Sequence, residues 1–423
     1  MEGNQCMKKL CSLLKSWFAR LVKFVAREWT SESKKVRSPA PLLPIHDRVI
    51  KVLFVVEYAE AWGSYESVYR SFKDDESCDV SVVAIAESAS YGDVRNKPRD
   101  FLAAAGIPFY SSDRFDLSVH RPDVVFFHRP YEGLRPTDWQ VHNVARYTSR
   151  IVYICYGFEI GGGRASTQFN QPMQLNAWRV FVYSPLVKQL FARDCARGDG
   201  HVVAVGHPMV DAVLSFSDKQ LEPALKDLVA GRRTVLWCPH YSASKEGEDM
   251  STFCRWNDHI LSEFEQRPDM FLICRPHPLL FSRIAKEGVL PVEEIARFRQ
   301  RIESADNMLL DESSDFRQSF AISDGMMADG GTFIMLYPST AKPVLYLRDS
   351  GGKGLNEAGA VTKCFYQGDT AEDIKRFIDL VGSGEDTQQA ARMKGYSEVV
   401  LMPKSGTGPE IKRHVVEAIR RGV

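Results

Sequence analysis

The sequence predicts an α/β protein built from two doubly wound, Rossmann-like halves that face one another across a cleft. From Val49 onward, short apolar runs rich in β-branched residues alternate with stretches of helical periodicity. The runs are continuously apolar, which is typical of parallel strands covered on both faces. The 423 residues, 44% apolar and 26% charged, suffice for two or three globular domains and exclude a disordered or disulfide-scaffold protein.

The first half is predicted to be a set of parallel strands joined by helices. The run at 50–57 is apolar and β-branched, and a short loop leads from it into a helix near 64–73. Further strands are expected at 80–86, 107–110, 124–128, 150–155, 180–184 and 201–208, with helices at 136–147 and 185–195. A hinge is expected at 208–214, directly after His207.

The second half repeats this alternation. Strands are expected at 234–240, 270–278, 307–311, 320–325 and 343–349, and helices at 251–266, 293–304, 332–341, 370–381, 385–396 and 410–421. The predicted domains are a basic helix and linker at 1–47, Rossmann-like halves at 48–212 and 213–405, and a C-terminal helix at 406–423. In such sheets, ligands bind at the carboxyl ends of the strands.

The amino-terminal segment is the most basic part of a chain whose formal net charge is zero. Residues 1–38 hold nine basic and three acidic residues, a net charge of +6. Within 7–29, an apolar stripe that includes Trp17, Leu21 and Phe24 runs along a basic helix. Charges interrupt the stripe too often for a transmembrane helix or a signal peptide.

Residues 7–29 are therefore predicted to bind an anionic membrane surface. The protein would be cytoplasmic and peripheral on the inner face of the cell membrane. The alternative is that this helix packs on its own chain or on a partner. Because the formal net charge is zero, the chain as a whole has no electrostatic attraction for nucleic acid, and no nucleic-acid partner is expected.

The nine cysteines contain no CxxC pair, and several lie inside apolar runs. This pattern favours reduced, buried thiols in a cytosolic protein. Neither HExxH nor any zinc-ligand spacing is present. No metal ligand and no cofactor are predicted.

The candidate chemistry follows three predicted strands of the second half. His240 and Ser242 follow the first, Arg275 and His277 follow the next, and Gly330-Gly331-Thr332 opens a helix. A helix start offers free backbone N–H groups to an anion, and arginine and histidine are suited to phosphate. Because these groups occupy strand ends of one sheet, they are expected to hold a diphosphate together. Neither a P-loop nor GxGxxG is present.

At these positions the chain resembles the CDP-glycerol glycerophosphotransferases, which build teichoic acids and related phosphopolymers. Those enzymes typically carry Gly-x-Pro-Arg-Asn-Asp where this chain has Gly206-His207-Pro208-Met209-Val210-Asp211. They carry Ala-Pro-His-His-Ser or a similar stretch at Cys238–Ser242, and Met-His-Pro or Pro-His-Pro at Pro276–Pro278. They carry Asp-x-Gly-Ser or Ser-Asp-Tyr-Ser-Ser at Asp329–Thr332, followed by Lys342-Pro343.

The resemblance implies a GT-B fold, with the acceptor in the first half and the nucleotide donor in the second. It also implies that the C-terminal helix crosses back to the first half. It implies transfer of glycerol phosphate, or a related polyol phosphate, from CDP-glycerol or a similar donor. The acceptor would be a hydroxyl of a lipid-linked or polymeric molecule in teichoic acid, capsule or other cell-envelope synthesis. The expected donor site is His240, Ser242, Arg275, His277, Asp329, Gly330, Gly331 and Thr332, with His277 also catalytic.

The first half departs from the family at one motif. Many members carry Trp-His-Gly-Thr-Pro, whose histidine is the proposed general base, where this chain has Ile154–Ile160 without a histidine. His128 or Glu159 is expected to take that role. Two alternatives stay open: a GT-B glycosyltransferase that uses a nucleotide-sugar, and a catalytically silent scaffold on the membrane surface.

Overall fold

The computed structural model describes residues 42–85, 98–162, 168–243, 250–348 and 354–423. The predicted membrane-binding segment 7–29 lies outside these ranges. Within them, no helix combines the length and the apolar character that crossing a membrane requires.

The first half is built on a seven-stranded parallel sheet. Its strands are β1 (Ile50–Val56), β2 (Cys78–Ala84), β3 (Tyr110–Ser111), β4 (Val124–Phe127), β5 (Ile151–Ile154), β6 (Arg179–Val182) and β7 (Val202–Ala204). Their order in space is β3-β2-β1-β4-β5-β6-β7. This is the Rossmann order with one added strand, and the order reverses direction between β1 and β4.

The second half is built on a six-stranded parallel sheet. Its strands are β8 (Arg233–Cys238), β9 (Met270–Cys274), β10 (Met308–Leu310), β11 (Gly325–Ala328), β12 (Val344–Leu347) and β13 (Tyr366–Gly368). They lie in the order β10-β9-β8-β11-β12-β13, so this sheet also has the Rossmann order. Its switch point lies between β8 and β11. The predicted α/β class with two Rossmann-like halves is confirmed.

Helices connect the strands. Those of the first half are α1 (Glu66–Lys73), α2 (Pro98–Ala104), α3 (Leu117–His120), α4 (Val141–Val144), α5 (Pro172–Asn176), α6 (Pro185–Asp194) and α7 (Pro208–Leu214). Those that follow are α8 (Pro223–Val229), α9 (Phe253–Glu265), α10 (Leu280–Lys286), α11 (Val292–Glu303), α12 (Phe316–Ile322), α13 (Gly331–Leu336), α14 (Ala371–Ser383), α15 (Gln389–Val399) and α16 (Thr407–Arg421).

The last helix returns to the first sheet. Ile411, Val415 and Ile419 of α16 are fully buried in the same apolar cluster as β1 and α1. Both carboxylate oxygens of Asp211 in α7 accept hydrogen bonds from the first backbone N–H groups of α16, those of Thr407 and Gly408. The C-terminal helix therefore completes the core of the first half.

Two secondary-structure predictions are wrong. The strand expected at 320–325 is helix α12, whose start is capped by Asp315, and the strand follows at Gly325–Ala328. The run Gly-Met-Met-Ala lacks β-branched residues, so its apolar character alone did not mark it as a strand. The helix expected at 136–147 is a 3-10 turn followed by the short helix α4, because Gln140 between them is extended.

Candidate active site

A cleft of about 650 Å³ lies between the two halves and is lined by residues of both. Its lining residues follow the strands of each sheet, at the carboxyl ends where α/β proteins bind ligands. This volume lies within the range of small-molecule sites.

The second-half wall is formed at three neighbouring strands. His240 follows β8, His277 follows β9, and Gly330 to Thr332 follow β11. The ring centroids of His240 and His277 are 5.7 Å apart, and the Tyr241 ring packs against both. The structure thus brings together the strand-end groups that the sequence placed in one site.

A short hydrogen-bond chain fixes the tautomer of His240. The Met250 N–H donates to Ser242 Oγ at 3.0 Å, and Ser242 Oγ lies 2.8 Å from His240 Nδ1. The Ser242 backbone N–H also points to this nitrogen, at 3.3 Å. Because Nδ1 accepts hydrogen bonds, the neutral ring carries its proton on Nε2. Ser242 is itself buried, so it orients His240 and does not face the cleft.

His277 is held in the same way. Its Nδ1 accepts a hydrogen bond of 3.1 Å from the Leu279 N–H, and its own backbone N–H donates to the Pro239 carbonyl at 3.0 Å. The second bond joins the loops after β8 and β9. The neutral ring therefore also carries its proton on Nε2. Two imidazole N–H donors on one wall are well suited to phosphate oxygens.

Asp329 lies beneath the cleft and ties two loops together. Its carboxylate accepts hydrogen bonds of 2.7 Å from the His240 N–H and of 2.7 Å from the Thr252 N–H. Burial raises the pKa of Asp329 to about 7, although these hydrogen bonds act in the opposite direction. Asp329 positions the histidine loop and is not among the residues that line the cleft.

The glycine pair at the start of α13 permits a close approach to His240. Gly331 has a φ of +76°, in the left-handed region that favours glycine. A Cβ atom on Gly331 would lie 3.0 Å from His240 Cδ2, so a side chain there would require the His240 ring to shift. The first N–H groups of a helix have no intrahelical partner, and this end of α13 lines the cleft.

Arg275 departs from its predicted role as a two-pronged phosphate ligand. Its guanidinium pairs with Asp311 and donates to Ser313 Oγ at 3.1 Å and to the Ser313 carbonyl at 2.6 Å. Arg275 and Asp311 follow the neighbouring strands β9 and β10 and are both buried. Arg275 borders the cleft, but both terminal nitrogens of its guanidinium already donate to Asp311 and Ser313.

Glu159 is a carboxylate of the opposite wall. It follows β5, and its Oε1 accepts a hydrogen bond of 3.3 Å from Gln174 Nε2. Burial raises the pKa of Glu159 to about 8, partly opposed by hydrogen bonds from Cys155 and Gln174. A carboxyl group with this pKa exchanges protons near neutral pH, as a general base must.

His128, the other predicted base, does not face the cleft. It is fully buried, its Nε2 accepts a hydrogen bond of 3.1 Å from the Glu57 N–H, and its ring stacks on Tyr65. Burial and the nearby cations Arg129 and Arg135 lower its pKa to about 3. The expectation that His128 reaches a substrate is therefore corrected: it is a neutral core residue.

His207, expected at the hinge, is also buried. Its Nδ1 accepts a hydrogen bond from the Met209 N–H and caps α7, and its Nε2 lies 3.0 Å from the Cys155 carbonyl oxygen. The ring stacks on Phe158 with centroids 4.6 Å apart. His207 thus supports the loop that carries Glu159 from behind.

The first-half wall also carries an aromatic surface that no sequence motif predicted. Tyr58 follows β1, Tyr131 lies in the loop after β4, and Tyr156 follows β5. These three residues, called the tyrosine wall below, occupy the ends of three neighbouring strands. Each tyrosine comes a few residues after an apolar run, and that position alone places it near the end of a predicted strand. None of the three belongs to a recognisable motif.

A buried ion-pair network fixes the loop that carries Tyr131. Arg135 donates to both carboxylate oxygens of Glu57, at 3.0 and 2.9 Å, and to Glu132 at 2.7 Å. It also donates to the Arg129 carbonyl. All three charged side chains are nearly inaccessible to solvent. In the described residues, no group of three or more His, Cys, Asp or Glu side chains is arranged to hold a metal ion.

Comparison with known proteins gives structural relatives but no sequence relatives. No protein-family model and no curated protein matches the chain. The S. aureus MnaA–UDP structure has a TM-score of 0.57 at 15% identity, over 88% of this chain and 96% of that chain. The wall teichoic acid polymerase TagF with CDPG has a TM-score of 0.53 at 10% identity, over 96% and 97%. The chain adopts the GT-B fold.

A third structure with this GT-B arrangement is a UDP-GlcNAc 2-epimerase from Neisseria meningitidis bound to UDP-GlcNAc. Its TM-score is 0.55 at 15% identity, over 88% of this chain and 100% of that chain. At such identities the likeness concerns the fold alone.

Proposed function

We propose that this protein transfers a polyol phosphate, such as glycerol phosphate, from a CDP-activated donor to a hydroxyl group of an acceptor. The observation that carries the proposal is the division of the cleft. A carboxylate whose pKa is raised to about 8, that of Glu159, lines one wall. Two imidazoles and a glycine-rich helix start line the other.

The second-half wall would bind the diphosphate of the donor. The Nε2–H groups of His240 and His277 donate to phosphate oxygens, and the backbone at Gly331 and Thr332 adds further donors. These contacts stabilise the negative charge that develops on the departing CMP. Transfer at phosphorus depends mainly on positioning and charge stabilisation, which this wall supplies. Arg275, paired with Asp311, keeps the loop after β9 in place.

Glu159 would act as the general base. Its carboxylate accepts the proton of the acceptor hydroxyl as the oxygen bonds to phosphorus, and the bond from phosphorus to the CMP oxygen breaks. Burial holds its pKa high enough for effective proton abstraction near neutral pH. Glu159 thereby replaces the family histidine that is missing from Ile154–Ile160.

The CDP donor is supported by the motif resemblance of the second half and by the GT-B fold shared with TagF. The proposed biological setting is cell-envelope polymer synthesis, with a lipid-linked acceptor at the cytoplasmic face of the membrane. Residues 7–29 would bind the anionic surface there. Deleting residues 1–38 should greatly reduce pelleting with anionic vesicles while nucleotide binding persists. Equal pelleting of both proteins would contradict this anchor.

A nucleotide-sugar transferase is the second candidate. The absence of the Trp-His-Gly-Thr-Pro motif from Ile154–Ile160 favours it, because that motif carries the histidine base of many glycerophosphotransferases. In that case the same wall would bind a nucleoside diphosphate, and Glu159 would activate the acceptor hydroxyl in the same manner. The two candidates differ in the group transferred.

The decisive experiment incubates the full chain with radiolabelled CDP- and UDP-linked donors and follows donor turnover. Turnover of CDP-glycerol or a related CDP-polyol is expected, and exclusive turnover of a nucleotide-sugar would select the second candidate. His277→Ala should abolish turnover without unfolding the protein. His142→Ala, on an exposed surface away from the cleft, is the matched control. If calorimetry detects no binding of any cytidine or uridine nucleotide, the catalytically silent scaffold is favoured.

A further inference from the structure

The tyrosine wall has no role in the chemistry proposed so far. Tyr58, Tyr131 and Tyr156 lie at the ends of β1, β4 and β5, which are adjacent in the first sheet. Tyr131 is 40% exposed, and the other two are half-buried. An aromatic surface of this kind inside a cleft is a binding surface for a flat or apolar ligand face.

The rings of the wall are held in place before any ligand binds. The Arg129 guanidinium lies 5.5 Å from the centroid of the Tyr58 ring and 5.8 Å from that of Tyr131. The Tyr131 and Tyr156 hydroxyls lie near enough for each to influence the pKa of the other. The loop itself is fixed by Arg135 from below. Such preorganisation reduces the entropy lost on binding.

The polar groups around the wall are suited to hydroxyls. Glu60, Glu159, Gln168 and Gln171 line the same side of the cleft. Carboxylates and amides bind hydroxyl groups well, whereas a carboxylate repels a phosphate. Of the first-half residues that the structure describes along the cleft, none is lysine or arginine. Arg129 is only 8% exposed and is engaged by the two rings.

We propose that the tyrosine wall binds an uncharged sugar ring of the acceptor and presents one of its hydroxyls to Glu159. This inference rests on the proposed transfer reaction and specifies its acceptor. The apolar C–H face of a pyranose packs against the aromatic rings, while its hydroxyls contact the surrounding carboxylates and amides. The acceptor end would thus be a neutral saccharide, and an anionic chain of glycerol phosphate units would bind poorly.

The position of the wall suits the second substrate of the reaction. Tyr131 lies close enough to Tyr241 and to Glu159 to interact with both electrostatically. Tyr241 packs against the rings of His240 and His277. A sugar on the wall would therefore lie between the general base and the donor diphosphate. A nucleobase is the other flat ligand that tyrosines bind, and the experiment below separates the two.

The test measures saccharide binding directly, without donor, by saturation-transfer NMR on the full chain. The probes are methyl glycosides of N-acetylhexosamines, glycerol 3-phosphate, cytidine and uridine. Saturation of the sugar-ring protons is expected, with little for glycerol 3-phosphate. Tyr131→Ala should weaken saccharide binding about five-fold, and Tyr131→Phe, which keeps the ring, should stay within about two-fold of the native chain. Tyr147→Ala, an exposed tyrosine outside the cleft, is the control.

Several outcomes would overturn the inference. Tighter binding of glycerol 3-phosphate than of any saccharide would do so, as would saccharide binding that Tyr131→Ala leaves unchanged. Loss of cytidine or uridine binding in Tyr131→Ala would assign the wall to the nucleobase instead. Failure of the proposed reaction is a separate outcome. If saccharide binding depends on Tyr131 but the protein turns over no donor, the tyrosine wall is a saccharide site and the proposed transferase activity is wrong.

Discussion

Gly157 in the first half lies directly against the side chain of Thr332 in the second. A Cβ atom on Gly157 would overlap the Thr332 hydroxyl. Gly157 follows β5 two residues before Glu159, and Thr332 begins the helix α13 that borders the donor wall. This contact therefore sets the separation of the two walls beside the proposed base.

Gly157→Ala should destabilise the protein through this contact. The added methyl group must displace Thr332 or separate the two halves, which costs about 1–3 kcal/mol. In a Thr332→Ala background the hydroxyl is absent, so the same substitution should change the free energy of unfolding by less than about 0.5 kcal/mol. Urea denaturation of the four proteins measures the difference. An equal loss of unfolding free energy in both backgrounds would show that the methyl group clashes with an atom other than the Thr332 hydroxyl.

Arg275→Ala should affect stability more than donor binding. It leaves the buried Asp311 carboxylate without its counter-charge, for an expected loss of about 3–5 kcal/mol in the free energy of unfolding. Arg275→Ala combined with Asp311→Ala should recover part of that loss, because neither charge then remains unpaired. If Arg275→Ala instead weakened donor binding alone and left unfolding unchanged, Arg275 would be a phosphate ligand after all.

Asp211→Ala should loosen the C-terminal helix. Its carboxylate accepts hydrogen bonds of 2.9 and 2.8 Å from the N–H groups of Thr407 and Gly408, at the positive end of the helix dipole. Their loss should lower the free energy of unfolding by about 1–2 kcal/mol. Thermal unfolding measures this, with Asp227→Ala on an exposed helix surface as the control. A melting temperature equal to that of the control would contradict the capping role.

The sequence predicted the strands that carry β-branched runs, such as Ile50–Val56, because such runs have few alternatives in a globular protein. It missed Gly325–Ala328, whose position is set by pairing with β8 and β12. The convergence of His240 and His277 was predictable from parallel topology, since both follow strands of one sheet. Which strands are neighbours could not be read from local pattern.

Strand neighbours explain most of the differences at the site. Arg275 pairs with Asp311 because β9 and β10 are adjacent, a relation that the sequence of neither strand reveals. His128 lies at a strand end, as expected, but Tyr65, at the start of α1 in another part of the chain, stacks on its ring. Glu159 lines the cleft. Its raised pKa comes from burial in the folded chain, which local sequence does not reveal, and the hydrogen bond from Gln174 acts in the opposite direction.

The pH dependence of transfer should follow the ionisation of Glu159. Burial raises its pKa from 4.5 to about 8, and a general base acts only when deprotonated. The rate should therefore rise with pH below about 8 and level off above it. Glu159→Gln should lower the rate by about 10²–10⁴-fold, with donor binding retained, and remove this rise. A rate that is flat or falls from about pH 6 to about pH 8 would exclude Glu159 as the base.

The same ionisation should appear in stability, which requires no substrate. Because the pKa of Glu159 is higher in the folded than in the unfolded chain, the folded state binds an additional proton between about pH 4.5 and pH 8. The contribution of Glu159 to the free energy of unfolding should therefore decrease as pH rises through this window. Glu159→Gln removes that contribution, so its stability relative to the native chain should increase with pH. Urea denaturation of both proteins at about pH 5 and about pH 8 measures the change, and a constant difference would show that Glu159 ionises normally.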